Sequence, residues 1–96
     1  MERLTFKIFY HYLVAENDIP KLPTLWRKKI RQSIELKLAT RLDVYGKPLR
    51  RSLKNYRKLR VGDYRVIFRI EENIVRIFVI QHRSAVYDTA EKRIER

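Results

Sequence analysis

A glycine–aspartate pair, Gly62-Asp63, lies between two runs of alternating apolar and charged residues and limits how this chain can fold. Such a pair closes a two-residue β-hairpin, because glycine tolerates the positive φ that the turn needs. If these two residues form the loop, Val61 lies opposite Tyr64 and the remaining pairs of the hairpin follow. Alternation then predicts an apolar face and a basic face. The apolar face holds Leu59, Val61, Tyr64, Val66, Phe68 and Ile70, with Arg57 among them, and the basic face holds Tyr56, Lys58, Arg60, Arg65, Ile67 and Arg69.

A second tight turn at Glu71-Glu72-Asn73 predicts a third strand beside the first two. The stretch 64–70 would then have a neighbour on each side and form the centre of the sheet. Arg76, Phe78 and Ile80 would extend the basic face. The expected pairs across the second turn are Ile70 with Val75, Phe68 with Ile77, and Val66 with Val79.

The N-terminal part of the chain predicts a strand followed by helices. Residues 4–10 have the side-chain alternation of a β-strand, with Leu4, Phe6, Ile8 and Tyr10 on one side. Asp18 is placed to cap a short helix that has Pro20 in its first turn. Thr24 is expected to cap a longer helix, ending near Arg41 before a loop at 45–48. An apolar stripe on that helix should pack on the sheet, and its members are Trp26, Ile30, Ile34 and Leu38.

Together these elements predict one α+β domain over residues 1–96. Its small antiparallel sheet would follow the order β-α-α-β-β-β. Two N-terminal helices would pack on one face. The chain has 96 residues, of which 45% are hydrophobic, enough for one modest core.

The charge of the chain is strongly positive and is concentrated in one segment. There are 23 Lys and Arg against 11 Asp and Glu, a net charge of +12. Residues 45–69 hold nine of these cations and a single acid, Asp63. This imbalance favours an anionic partner such as nucleic acid, a membrane surface or an acidic protein. A plain solvated surface is the alternative.

Other features narrow the chemistry and the location. The chain has no cysteine, which excludes disulfides and a thiolate nucleophile. Two histidines, His11 and His82, are too few and too far apart to predict a metal site, and no cofactor is expected. The N-terminus lacks an uninterrupted apolar stretch, and no run is long enough to span a bilayer. We therefore expect a cytoplasmic protein that makes no membrane contact.

A chain without thiols can still cleave RNA, because the substrate supplies its own nucleophile, the 2′-hydroxyl next to the scissile phosphate. Such a site needs cations for the phosphate and a group that moves protons. Lys58 and Arg65 share a face by the hairpin register. His82, Arg83 and Tyr87 follow the last strand and could close over that face.

Two segments, YGKPLRRSLKNYRKLRVGDYRVIFRI and VRIFVIQHRSAVYD, resemble the RelE/ParE superfamily of type II toxins. The resemblance covers nearly the whole chain and implies the same β-α-α-β-β-β order, with residues 84–96 as a possible further, short C-terminal helix. It also implies a cognate acidic antitoxin as partner. In the RelE-like branch it implies a ribosome-dependent endoribonuclease that cuts mRNA in the A site without a metal. Operator DNA would be contacted only through the antitoxin complex.

The resemblance also assigns roles to individual residues. Arg65 is similar to the phosphate-stabilising arginine, and Lys58 to one of two lysines in the pattern. Arg83 corresponds to the arginine that assists the leaving group, and Tyr87 to the tyrosine that acts as general base. Tyr56 stands where the family has the first lysine, so Lys54, Arg60 or His82 would have to replace that charge. Together with Arg69, the predicted RNA-binding residues are Lys54, Tyr56, Arg60, Arg69 and His82.

The sequence leaves other functions and other residue roles open. The ParE branch of the same superfamily binds and inhibits DNA gyrase and cleaves nothing, and fold alone cannot separate the two activities. A third possibility is a weakly toxic member that acts mainly through antitoxin binding. Tyr87 could also be a packing residue, and Lys58 and Arg65 could be surface cations or antitoxin contacts.

Overall fold

The computed structural model describes residues 6–38 and 47–94, which contain a five-stranded sheet. The strands are β1 (Lys7–Tyr10), β2 (Lys47–Pro48), β3 (Arg57–Val61), β4 (Tyr64–Glu71) and β5 (Ile74–His82). Their spatial order is β1-β5-β4-β3-β2, so β4 is central as predicted. β1 runs parallel to β5, and the other neighbours are antiparallel. The α+β fold class is confirmed, with a mixed rather than purely antiparallel sheet.

Helical segments cover both faces of this sheet. A π-helical turn, Val14–Asp18, leads into the short helix α1 (Ile19–Lys21). Helix α2 (Thr24–Ser33) continues through a second π-helical segment, Ile34–Leu38. A 3₁₀ turn, Arg51–Leu53, precedes β3. The expected C-terminal helix is present as α3 (Val86–Ile94).

The hairpin register predicted from Gly62-Asp63 is confirmed. Val61 pairs with Tyr64, and the ladder continues to Arg57 opposite Phe68. Gly62 has a φ of +60°. A Cβ at this position would overlap the six-membered ring of Trp26, so the turn lies directly under α2.

The predicted register across the second turn is correct near the turn and wrong beyond a β-bulge. Ile70 pairs with Val75 and Phe68 with Ile77, but Ile67 pairs with Val79 and Val66 with Ile80. Phe78 is therefore an extra residue on β5, and every later side chain changes face. Val79 does not extend the first apolar face, and Ile80 does not join the basic one.

This change of face gives the sheet a core on each side. The larger core lies under α1 and α2, where the predicted stripe packs as expected: Ile30, Ile34 and Leu38 are buried, and Trp26 packs against them. The smaller core lies under α3, in the middle of the face predicted to be basic. Its buried members are Leu53, Ile67, Val79, Val86 and Ala90.

Three local predictions need correction. Asp18 does not cap α1 through its side chain, although Pro20 does lie in the first turn; Asp18 is buried and bonds to β5 and α3. Thr24 is the first residue of α2 rather than its cap. The side chain of Arg27 instead donates to the carbonyls of Pro20 and Leu22 just before the helix.

The third difference lies in the stretch 45–48, which was predicted to be a loop. Its last two residues, Lys47–Pro48, form an edge strand that pairs with β3. The predicted strand residues Leu4 and Thr5, the helix end near Arg41, and Tyr45-Gly46 lie outside the described residues. Within residues 6–38 and 47–94, no helix has the length and apolarity needed to cross a membrane.

Two positive-φ positions, one in each hairpin turn, predict different responses to substitution. Gly62→Ala should lower the free energy of unfolding by about 1–3 kcal/mol, because the methyl group strains the backbone and meets Trp26. Glu72 has a φ of 55°, so Glu72→Gly relieves strain and should stay within about 1 kcal/mol of wild type. Urea denaturation measures both. Equal losses in the two variants would contradict the assigned turn geometry.

His11 predicts a loss of stability at acidic pH. Its pKa is lowered by burial and then by the charge of Arg93, with Asp18 opposing. The neutral ring also accepts a hydrogen bond from the backbone N–H of Leu13, 3.1 Å away. Because the folded state resists protonation, the unfolding free energy should fall as pH drops below about 6.5. Denaturation curves between about pH 7.5 and 5 should show a smaller pH dependence for His11→Gln than for wild type. An unchanged dependence would remove His11 as its source.

Candidate active site

The β3–β4 hairpin brings several cations to one edge of the sheet. Lys58, Arg60 and Arg65 share a face, because Arg60 pairs with Arg65 and Lys58 lies two residues before Arg60. A cavity of about 280 Å³ opens at this edge. Its lining residues are Lys37, Lys47, Lys58, Leu59, Arg60 and Arg65. Five cations around one cavity make it suited to an anionic ligand.

Helix α3 brings a phenol to the same cations. Tyr87 is the second residue of α3, and its hydroxyl oxygen accepts a hydrogen bond from Lys58 Nζ at 3.4 Å. The Lys58 ammonium also lies 5.8 Å from the centre of the Tyr87 ring. Both residues are part-buried. Lys58 is therefore the cation that lies next to the Tyr87 phenol.

Arg65 is held by the turn that precedes it. Its Nη1 donates to the carbonyl oxygens of Gly62 and Tyr64, both at 2.8 Å. These two bonds fix the guanidinium beside the β3–β4 turn. The arrangement also turns its charge toward backbone carbonyls, which moderates the repulsion expected between Arg60 and Arg65.

Arg83 lies at the same turn from the other side. Its backbone N–H donates to the carbonyl of Asp63 at 2.8 Å, and its Nε lies 3.9 Å from the Asp63 carboxylate. The side chain is 61% exposed, so it can reach a ligand in solution. Arg83 and Arg65 therefore flank one turn.

The structure does not bring His82 to Lys58 and Arg65. His82 pairs with Tyr64, so it shares the opposite face of the sheet. Its ring packs edge-on against Tyr64, and its Nδ1 lies 2.9 Å from the hydroxyl of Ser84. The bulge at Phe78 determines this placement.

The other predicted RNA-binding residues occupy different positions. Arg60 lines the cationic cavity. Tyr56 stacks on Phe78 with a centroid distance of 5.0 Å and lines a separate cleft of about 210 Å³ with Arg69. Arg69 is paired with Glu71 at 3.3 Å. Lys54 is exposed beside Tyr56.

Residues that the sequence did not single out complete the surroundings. Lys37 and Lys47 line the cavity, although Lys37 comes from the π-helical segment that follows α2 and Lys47 from the edge strand. Asp18 and Arg93 form a buried ion pair at the far end of α3. No local pattern indicates this pair, because its members are separated by 75 residues.

Comparison with known proteins places the fold in a family. A family model described as "ParE toxin of type II toxin-antitoxin system, parDE" matches residues 6–87. Because the match spans most of the chain, this chain belongs to that family. It is a type II toxin of the RelE/ParE superfamily, and the predicted superfamily is confirmed. Among curated proteins, no sequence matches significantly.

Solved structures agree with this assignment. One chain of the toxin–antitoxin complex RelBE2 from Mycobacterium tuberculosis matches with a TM-score of 0.78 and 26% identity, over 86% of this chain and 97% of that chain. A chain of the RelB–RelE complex from Methanococcus jannaschii gives 0.65 and 23%, over 83% and 95%. The YoeB–YefM complex from Staphylococcus aureus gives 0.58 and 19%, over 80% and 95%. The last two likenesses concern the fold alone.

Proposed function

We propose that this toxin is a ribosome-dependent endoribonuclease that cleaves mRNA in the A site. The observation that carries the proposal is the contact of the Tyr87 hydroxyl with Lys58, at a cavity also lined by Arg65. A proton acceptor beside two phosphate-binding cations is what intramolecular RNA cleavage requires. The likeness to RelBE2 supports the same branch.

In the proposed reaction, the ribose 2′-oxygen attacks the adjacent phosphorus. Tyr87, as phenolate, accepts the 2′-hydroxyl proton, and the Lys58 ammonium stabilises that phenolate. The bond from phosphorus to the 5′-oxygen breaks, leaving a 2′,3′-cyclic phosphate and a 5′-hydroxyl. Arg65 binds the phosphate oxygens, and Arg83 stabilises the departing oxygen as it gains a proton from solvent.

Arg60 fits the role of the missing family lysine. Tyr56, which stands at that sequence position, stacks on Phe78 and does not carry a charge. Of the three residues considered as replacements, Arg60 lines the cavity together with Lys58 and Arg65. Lys54 lines a different cleft, and His82 lies on the other face. We therefore assign the charge of the missing family lysine to Arg60.

The proposed partner is a cognate acidic antitoxin. The net charge of +12 favours an acidic protein, and the matched chains of RelBE2 and RelB–RelE come from toxin–antitoxin complexes. An antitoxin that covers the cationic cavity would neutralise the toxin directly. Contact with operator DNA is assigned to the complex, and the proposed location is the cytoplasm.

A second candidate function is inhibition of DNA gyrase. The family description names the ParE toxin, and this observation favours the second candidate. In that case the cations would contact gyrase, and Tyr87 would only pack α3 onto the sheet. A weakly toxic protein that acts mainly by binding its antitoxin is the remaining class.

Tyr87→Phe tests the proposed chemistry. The substitution removes the hydroxyl and keeps the ring that packs against the smaller core. Cleavage of translated mRNA should fall by about 10²–10⁴-fold, the usual contribution of a general base. The measurement is mapping of the new 5′ ends in a translation reaction that contains purified toxin.

Tyr12→Phe is the matched control, since Tyr12 is 61% exposed and is not among the residues that line the cavity. This variant should cleave as wild type does. Wild-type cleavage by Tyr87→Phe would remove the base from the mechanism. A wild-type toxin that cuts no mRNA but blocks supercoiling by gyrase would establish the second candidate instead.

A further inference from the structure

The buried ion pair between Asp18 and Arg93 lies where β5 loses its neighbour β1. The β1–β5 ladder ends at Tyr10 opposite Ile77, and β5 continues to His82. Past that point, the N–H of Ile80 donates to Asp18 Oδ2 at 2.9 Å. The carbonyl of Phe78 accepts from Arg93 Nη1, also at 2.9 Å. Two side chains therefore satisfy backbone groups that a neighbouring strand would otherwise bind.

The pair itself is bidentate and almost fully enclosed. Arg93 Nη2 lies 2.8 Å from Asp18 Oδ1, and Nη1 lies 2.9 Å from Oδ2. The side chains of Arg93 and Asp18 are 8% and 1% exposed. Two parallel N–H···O bonds define an orientation as well as a distance. A lysine could supply the charge but not this fork.

A second tie joins α3 to the same carboxylate. The hydroxyl of Thr89 donates to Gln81 Oε1 at 2.7 Å, and Gln81 Nε2 donates to Asp18 Oδ1 at 3.1 Å. The apolar contribution of α3 is small, because only Val86 and Ala90 are fully buried. Apolar contacts are not directional. The polar ties at Thr89 and Arg93 therefore determine how the helix lies on the sheet.

Tyr87 lies at the opposite end of that helix. Tyr87 precedes Arg93 by six positions, a distance of about 9 Å along the helix axis. If the Arg93 end moves, the rigid helix carries the Tyr87 hydroxyl away from Lys58. We propose that Arg93 is a positioning residue, which with Asp18 holds α3 in the orientation that sets Tyr87 against Lys58. Its effect on catalysis rests on the proposed function; its effect on geometry does not.

The test compares Arg93→Met and Arg93→Lys with Lys92→Met, an exposed cation on the same helix. In Arg93→Met, hydrogen exchange of the α3 amides should accelerate by about tenfold or more relative to the strands. The NMR signals of the Tyr87 ring should shift in the same variant. Arg93→Lys should show both effects to a smaller degree, and Lys92→Met should match wild type.

The kinetic arm measures single-turnover cleavage of ribosome-bound mRNA. Arg93→Met should lower the maximal rate by about tenfold or more with an unchanged half-saturating concentration, because substrate-binding cations remain in place. A double-mutant cycle that combines Arg93→Met with Asp18→Asn checks that the two residues act together. The double variant should cleave no more slowly than the slower of the two single variants. Thr89→Val weakens the same helix more gently and serves if Arg93→Met does not fold.

The possible outcomes are separable. If Arg93→Met shows the same Tyr87 signals and the same maximal rate as Lys92→Met, the proposal is overturned, even if Arg93→Met is less stable. Lost protection of α3 with shifted Tyr87 signals supports it in any protein that folds. If the wild-type toxin does not cleave mRNA, the proposed function fails, and the exchange and NMR measurements still decide whether Arg93 positions Tyr87.

Discussion

The structure depends on the single extra residue at Phe78. Without the bulge, β5 would present Val79 to the larger core and Ile80 to the other face, as strict alternation requires. With it, Val79 joins Ile67 and forms a second apolar patch. That patch is the surface on which α3 packs, and α3 carries Tyr87. A local change in one strand thus creates the place where the candidate active site can form.

The cationic cavity is compatible with folding because its charges are held apart or paired with backbone dipoles. Arg65 turns to two carbonyls of its own turn, and Lys58 lies against a phenol. Arg83 is drawn to Asp63 on the far side of that turn. The partners of these three cations are backbone carbonyls, a phenol and one exposed carboxylate at 3.9 Å. None of them neutralises its cation fully, so the charges remain available to a phosphate.

Sequence patterns were sufficient where an interaction is local. The Gly62-Asp63 turn predicted the β3–β4 register, and the spacing of Ile30, Ile34 and Leu38 predicted the buried face of α2. They failed at the bulge, because apolar residues at both Val79 and Ile80 fit either register. The candidate site was predicted in part: Lys58 and Tyr87 meet, but no periodicity could show that His82 would face away. Asp18 resembled a helix cap, since its true partner lies on a helix far along the chain.

The distance in sequence between Asp18 and Arg93 bears on how the domain acquires its final shape during synthesis. The carboxylate is translated 75 residues before the guanidinium that neutralises it. Until then Asp18 must stay hydrated, because an unpaired charge is costly to enclose. The sheet and the N-terminal helices can assemble first, whereas α3 docks only when Arg93 has left the ribosome. The Tyr87 hydroxyl, which α3 carries, would then reach Lys58 only after this helix has emerged from the ribosome.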